Sequence, residues 1–120
     1  MSDTITTVAT MKKLEIIIKP GKLDAVKKAM ATAGYTGVTI SQVEGHGNQK
    51  GLSQNGGGLK LELLPKIRLE IVVSDADLET LVKAIVKAAQ SGQHGDGKIF
   101  VIPLDEALRI RTGEKGNEAV

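Results

Sequence analysis

The sequence predicts an α+β fold of the ferredoxin-like type, a double βαβ unit whose four-stranded antiparallel sheet carries two helices on one face. Two observations predict it: one βαβ pattern occurs twice along the chain, and within each copy the apolar spacing changes from strand-like to helix-like. The length of 120 residues, with 41% hydrophobic and 25% charged residues, is typical of a single globular domain.

The repeat begins with a strand. Leu14–Ile18, with the sequence LEIII, is followed 55 residues later by Leu69–Val73, with the sequence LEIVV. The same offset aligns Leu23 with Leu78, on the stripes expected to face the core. A match that continues from the strand into the helix predicts two copies of one structural unit.

Each copy is expected to continue with a helix and a second strand. The helices are predicted over Lys22–Ala33, closed by Gly34, and over Asp77–Gln90. The strands that follow them are predicted over Tyr35–Glu44 and Lys98–Ile102.

The sheet face opposite the helices is also expected to be apolar. Ile16, Ile17 and Ile18 are consecutive, so their side chains point alternately to both faces of the sheet. An uncovered apolar face favours association between copies of the chain.

Composition assigns the remaining segments. Residues 1–10 are expected to be a disordered extension, residues 11–114 the domain, and residues 115–120 a flexible tail. Residues 45 to about 61 are expected to form a long glycine-rich loop, a kind of loop that is usually functional or disordered. Pro103–Ala107 is expected to form one helical turn, and Leu108–Thr112 to be extended.

Several functional classes are disfavoured by composition. Sixteen basic residues against 14 acidic residues give a net charge of only +2, which does not describe a general polyanion-binding surface. The absence of cysteine excludes disulfides and thiolate chemistry. Aromatic residues make up only 2% of the chain, which argues against an RNA-binding ferredoxin-like domain. No apolar run is long enough to span a membrane, and we therefore expect a cytoplasmic protein.

One glycine-rich segment suits an anionic ligand. Gly95, Asp96 and Gly97 precede Lys98, and backbone amides freed by glycine beside a lysine can bind phosphate. Asp-Gly is equally a strong signal for an ordinary turn.

Two arginines form a second candidate. On an extended segment Arg109 and Arg111 point the same way and present two guanidinium groups side by side. Either a ligand phosphate or a nearby carboxylate, Glu114 or Asp105, would balance them.

The sequence contains no catalytic set for covalent chemistry. Glu44, Glu62 and Glu70 are interpreted as exposed charges, and His46 and His94 as loop residues.

Together these segments resemble the PII signal-transduction family. The most specific is Gly95–Val101, with the sequence GDGKIFV after Ser91-Gly92, which looks like the family's C-terminal signature. The other similar segments are Met11–Lys13, Ile18–Pro20, Tyr35–Thr39, Gln49–Gly51, Leu64–Lys66 and Arg109–Gly113. The resemblance covers about residues 11 to 114.

The resemblance implies a non-enzymatic homotrimer that binds ATP or ADP in clefts between subunits and regulates a partner protein, with a membrane transporter the leading class, through the long T-loop. Lys98, Arg109 and Arg111 would hold phosphates, and the group of Thr36, Gly37 and Thr39 would come from the neighbouring subunit. The implied nucleotide-binding residues are Ile17, Thr36, Gly37, Thr39, Gly45, Gly47, Asn48, Gln49, Glu70, Val72, Gly95, Asp96, Gly97, Lys98, Arg109 and Arg111.

Further ligands follow from the same resemblance. Gln49 would contact Mg²⁺ through Mg-ATP. The residues implied for 2-oxoglutarate are Gln49, Lys50, Gly51 and Lys66. The residues implied for partner contact are Leu52, Ser53, Leu59 and Leu61.

The sequence departs from the family pattern in the loop. No tyrosine is present there, which excludes uridylylation of that loop, and Asn48 replaces a usual arginine, which leaves the 2-oxoglutarate response open. Two alternatives therefore stand beside the first interpretation: a variant sensor of another small anion, such as bicarbonate, with ADP or AMP, and a slow ATP-hydrolysing enzyme.

Overall fold

The computed structural model describes residues 10–49 and 60–120. The expected extension over residues 1–9 and the centre of the expected loop, residues 50–59, lie outside them. The elements in chain order are β1 Met11–Ile18, a short 3-10 helix Pro20–Lys22, α1 Leu23–Thr32, β2 Thr39–Gln49, β3 Lys60–Ser74, α2 Asp75–Ala89, β4 Gly97–Pro103 and a second 3-10 helix Gly116–Ala119.

The four strands form one antiparallel sheet in the order β2-β3-β1-β4. The two repeated strands, β1 and β3, are neighbours at its centre, with Leu14 opposite Ile71 and Ile16 opposite Leu69. The predicted double βαβ fold with an antiparallel sheet and two helices is therefore confirmed, and the predicted helices differ from the observed ones by one or two residues at each end.

The core lies between the sheet and the helices. Alternate residues of β1 and β3 are buried there, because successive side chains of a strand point to opposite faces. Apolar residues of the two helices cover them. The most completely buried side chains are Leu14, Ile16, Ile18, Val26, Met30, Leu69, Val73, Leu81 and Ile85.

Gly34 ends α1 as predicted. Its φ of 92° lies in the left-handed region, where glycine is unstrained. The Gly34 amide donates to the carbonyl of Ala31 and the Tyr35 amide to the carbonyl of Met30, each at 2.9 Å. This Schellman pattern turns the chain sharply out of the helix towards β2.

The strands β2 and β3 extend into the region expected to be loop. Register pairing continues from Thr39 opposite Glu70 to Gln49 opposite Lys60. Residues 45–49, 60 and 61 are therefore in strands, because a backbone ladder can continue through residues with little apolar side-chain signal.

The open sheet face is more charged than expected. By register, Lys13, Arg68 and Glu70 share this face, and the Lys13 ammonium lies 2.5 Å from the Glu70 carboxylate. Apolar residues such as Ile17 and Phe100 are interspersed among the charges. The face expected to be apolar is therefore mixed, because Arg68 and Glu70 at alternate positions of β3 carry charge.

The C-terminal segment also differs from expectation. Residues 104–107 form no helical turn, and residues 110–112 form a turn rather than an extended strand. An isolated bridge joins Leu108 to Lys115 across that turn, and the 3-10 helix Gly116–Ala119 follows. No helix in the described part of the chain has both the length and the apolar character needed to cross a membrane.

Candidate ligand-binding site

A cavity of about 700 Å³ opens where the exit from α1, strand β3 and the C-terminal segment meet. Six of the predicted nucleotide-binding residues line it: Thr36, Gly37, Thr39, Glu70, Val72 and Arg109. Residues 35–37 reach it because the Schellman turn at Gly34 directs the chain there. We call it the first cavity.

Glu70 is held in the first cavity by charge. Its carboxylate accepts a hydrogen bond from Lys13, and this bond, with the positive charges of Lys13 and Arg68, holds the pKa of Glu70 below its ordinary value despite opposing desolvation. The Arg68 Nε lies 3.9 Å from the other carboxylate oxygen. Glu70 is therefore an anion that can accept hydrogen bonds from a polar ligand.

A second cavity, of about 290 Å³, lies between α2 and the start of β4. Four other predicted residues line it: Ile17, Asp96, Gly97 and Lys98. Apolar residues of α2, including Val82 and Val86, form the remaining wall. We call it the second cavity.

The glycine-rich turn before β4 is fixed by Asp96. Its carboxylate accepts hydrogen bonds from the Ser91 hydroxyl, from the Ser91 amide at 2.7 Å and from the Gly92 amide at 3.0 Å. These bonds, the Ser91 hydroxyl bond first, hold the pKa of Asp96 far below its usual range. Asp96 therefore organises the turn.

Two lysines lie against the same turn. Lys66 Nζ donates to the carbonyl oxygen of Gly95 at 3.0 Å, and Lys19 Nζ lies 3.4 Å from Asp96. With Lys98 at the start of β4, three cations surround a turn whose backbone contains two glycines with positive φ. This concentration of positive charge suits an anionic group.

Arg109 is engaged with Glu114. The Arg109 amide donates to the Glu114 carbonyl at 2.8 Å, and its guanidinium lies 3.4 Å from the Glu114 carboxylate. Of the two interpretations left open by the sequence, a carboxylate partner is the one present in the chain. Arg111 lies in the turn at residues 110–112, so the expectation that the two arginines extend side by side along a strand was wrong.

The other predicted residues are placed only in part. Gly45, Gly47, Asn48 and Gln49 belong to β2 by backbone pairing. The residues outside the described part of the chain are Lys50, Gly51, Leu52, Ser53 and Leu59. Leu61 lies in β3, opposite Asn48.

Within one copy, the structure does not bring Lys98 and Arg109 into one cavity. Lys98 lines the second cavity with three other predicted residues, and Arg109 lines the first cavity with five others. Among the described residues, no group of three or more histidine, aspartate and glutamate side chains could hold a metal ion.

Sequence reasoning missed several residues of these sites. Lys13, Tyr35, Ala107, Ala119 and Val120 also line the first cavity. An antiparallel register between the repeated strands would have placed Lys13 beside Glu70, but no sequence signal points to the C-terminal residues.

Comparisons with known proteins agree with this architecture. The family model described as "Nitrogen regulatory protein P-II" matches residues 11–114. The chain is 49% identical over 112 residues to "Nitrogen regulatory protein P-II 2" of Methanothermobacter thermautotrophicus, covering 92% of this chain and 97% of that protein. It is 48% identical to "Nitrogen regulatory protein P-II" of Rhodospirillum rubrum, covering 92% of this chain and all of that one.

Two solved structures share the fold. Bacillus subtilis GlnK in complex with ATP superposes with a TM-score of 0.80 at 31% identity, covering 96% of this chain and 100% of that one. Arabidopsis thaliana PII bound to citrate gives 0.76 at 33% identity, covering 93% and 94%. The chain therefore belongs to the P-II family of nitrogen regulatory proteins, which are signalling proteins and not enzymes, as its sequence predicted.

Proposed function

We propose that the chain is a trimeric PII sensor that binds ATP or ADP between neighbouring copies and regulates a partner protein in the cytoplasm. One observation carries the proposal: of the sixteen predicted nucleotide residues, six line the first cavity and four others line the second cavity of the same chain. A site made of both groups requires the first cavity of one copy to face the second cavity of the next.

The chemistry of the two halves is complementary. The turn at Gly95–Gly97 offers backbone amides beside Lys98, and the first cavity adds Arg109 and the carboxylate of Glu70. Cations and amides neutralise a polyphosphate, while a carboxylate and polar groups suit the nucleoside end. The ATP bound by the similar GlnK structure supports an adenine nucleotide as the ligand.

A subunit-mixing experiment tests the shared site. The Lys98→Ala chain keeps Arg109 and Arg111. The Arg109→Ala, Arg111→Ala chain keeps Lys98. Each alone is expected to bind ATP weakly. Co-expressed, they form mixed trimers in which one cleft combines Lys98 of one copy with the arginines of the next.

Isothermal titration with ATP, on mixed trimers separated by two different affinity tags, gives the answer. Recovery of wild-type affinity at no more than one site per trimer supports the proposal. If every mixed trimer binds as weakly as its parents, the site lies within one chain. If wild-type protein binds neither ATP nor ADP, or is monomeric by mass, the proposed function fails.

A small carboxylate is the second proposed ligand. The similar Arabidopsis structure holds citrate, and in this chain Lys66 and Lys19 lie against the turn at Gly95–Asp96. The resemblance assigns Lys66 to 2-oxoglutarate beside Mg-ATP, with Mg²⁺ suited to the amide oxygen of Gln49. A titration panel of 2-oxoglutarate and bicarbonate, at fixed ATP and at fixed ADP, separates this ligand from the bicarbonate alternative.

The segment between β2 and β3, together with the start of β3, is proposed to contact the regulated protein. Its proposed contact residues, Leu52, Ser53, Leu59 and Leu61, rest on the family resemblance, with a membrane transporter as the leading class of partner. Replacing the first, third and fourth by serine should abolish capture of that partner while leaving ATP affinity unchanged.

A further inference from the structure

We propose that the C-terminal 3-10 helix, Gly116–Ala119, is a wall of the nucleotide site and sets its affinity. This inference rests on the proposed function, because it concerns the same first cavity. Ala119 and Val120 line that cavity together with Gly37, Glu70 and Arg109. The expected flexible tail thereby becomes a candidate specificity element.

The segment is brought to the cavity by its own hydrogen bonds. The turn after Leu108 is closed by the bridge to Lys115, and the Gly113 amide donates to the Arg109 carbonyl at 2.7 Å. Gly113 has a φ of 75°, which the tight reversal requires. The chain therefore returns alongside the residues that precede the turn.

Further contacts fix the helix after that reversal. The Gly116 amide donates to the Ala107 carbonyl at 2.9 Å and lies 3.2 Å from a carboxylate oxygen of Glu106. The Asn117 side chain donates to the Thr10 hydroxyl at 3.3 Å, which ties the segment to the start of β1. Ala119 is half-buried in this arrangement, whereas its neighbour Glu118 is exposed.

The chemistry of this wall is apolar. Ala119 and Val120 contribute aliphatic side chains to a lining that also contains Val72 and the charged residues Glu70 and Arg109. Aliphatic side chains suit the nucleoside rather than the phosphates. The nucleoside has apolar surface to bury against them, whereas a charged phosphate would lose its hydration there. The wall therefore acts on the nucleoside end of the nucleotide.

Single tryptophans test the assignment, because the chain contains none. Ala119→Trp places bulk in the cavity, and Glu118→Trp places the same bulk on the adjacent exposed position. We expect Ala119→Trp to weaken ATP binding about tenfold, a loss typical of overfilling a fitted site. Glu118→Trp should retain wild-type affinity, although it removes an acidic charge.

The readouts are ATP titration by calorimetry and tryptophan emission, with assembly mass checked for both variants. Emission should shift on ATP addition in Ala119→Trp and stay constant in Glu118→Trp. Equal affinities in the two variants, or equal losses, would overturn the inference while leaving ATP binding by the wild-type chain intact. If wild-type protein does not bind ATP, the proposed function itself has failed.

A second pair of variants tests the proposal if Ala119→Trp misfolds. If Ala119→Trp lacks the wild-type mass, Ala119→Asp introduces a carboxylate that repels an anionic ligand, and Glu118→Asp keeps the charge at the exposed position. Loss of ATP affinity confined to Ala119→Asp supports the wall, and unchanged affinity in both variants overturns it.

Discussion

The backbone of Gly97 passes so close to Ile17 that a Cβ atom at position 97 would lie 1.8 Å from the Ile17 carbonyl oxygen. These residues join β4 to β1 beside the second cavity, and the φ of Gly97 is 114°. The glycine thus permits the close approach that places Lys98 at the cavity.

Gly97→Ala is expected to destabilise the protein. The new methyl group meets backbone atoms in a left-handed conformation, so we expect a loss of about 2 kcal/mol or more in the free energy of unfolding. Urea denaturation at fixed protein concentration measures it. Gly21→Ala, whose Cβ would meet no atom within 4 Å, is the control. Equal stability of the two variants would contradict the prediction.

Asp96→Asn is expected to loosen the glycine-rich turn. Asparagine replaces the charged carboxylate, whose oxygen accepts from the Ser91 and Gly92 amides, with a neutral amide, so ATP affinity should fall by about tenfold, as for hydrogen bonds to a charged group. Calorimetry measures this, with the exposed Asp105→Asn as the control. Unchanged affinity would show that the turn keeps its shape without the carboxylate.

The same carboxylate predicts an acid dependence. The folded-state pKa of Asp96 is depressed, so its contribution to stability is present above the ordinary aspartate value of 3.8 and is lost as the pH falls below it. The difference in thermal midpoint between wild type and Asp96→Asn should therefore shrink from pH 6 towards pH 3. A constant difference would contradict this assignment.

Arg109→Ala with Arg111→Ala is expected to weaken ATP binding about tenfold or more while leaving the assembly mass unchanged, since each guanidinium offers charge-assisted hydrogen bonds. Lys83→Ala with Lys87→Ala removes the same net charge from the exposed side of α2 and is the control. Similar losses in both double variants would indicate a general charge effect.

Glu114→Gln is expected to tighten ATP binding. The wild-type carboxylate lies 3.4 Å from the Arg109 guanidinium and competes with a phosphate for it. Because both side chains are partly exposed, we expect a gain of only about two- to fivefold. The gain should disappear in high salt, which screens exposed charges. Weaker binding would instead identify Glu114 as a residue that positions Arg109.

The sequence predicted the elements whose apolar spacing is regular. The repeat from Leu14 to Leu69 placed the two central strands, and Gly34 placed the end of α1. The continuation of β2 to Gln49 was missed, because residues 45–49 have no apolar alternation and their pairing with β3 is a long-range property of the backbone.

The site was predicted as a set of residues shared between subunits, but the path of the C-terminal segment was not predicted. Arg109 and Arg111 have strand-like spacing, yet Gly113 and Glu114 close a turn through tertiary hydrogen bonds that local spacing does not encode. Likewise, residues 119 and 120 reach the first cavity because the Leu108–Lys115 bridge turns the chain back. Local sequence does not predict that bridge.

The charged pattern of the open sheet face has a consequence for heterologous assembly. If that face meets other copies in the proposed trimer, the ion-paired group of Lys13, Arg68 and Glu70 enters the contact as a unit. An apolar surface can associate with many partners. A charged surface disfavours a partner that places a like charge against one of its own charges. Such a contact would therefore discriminate between copies of this chain and chains with a different charge pattern.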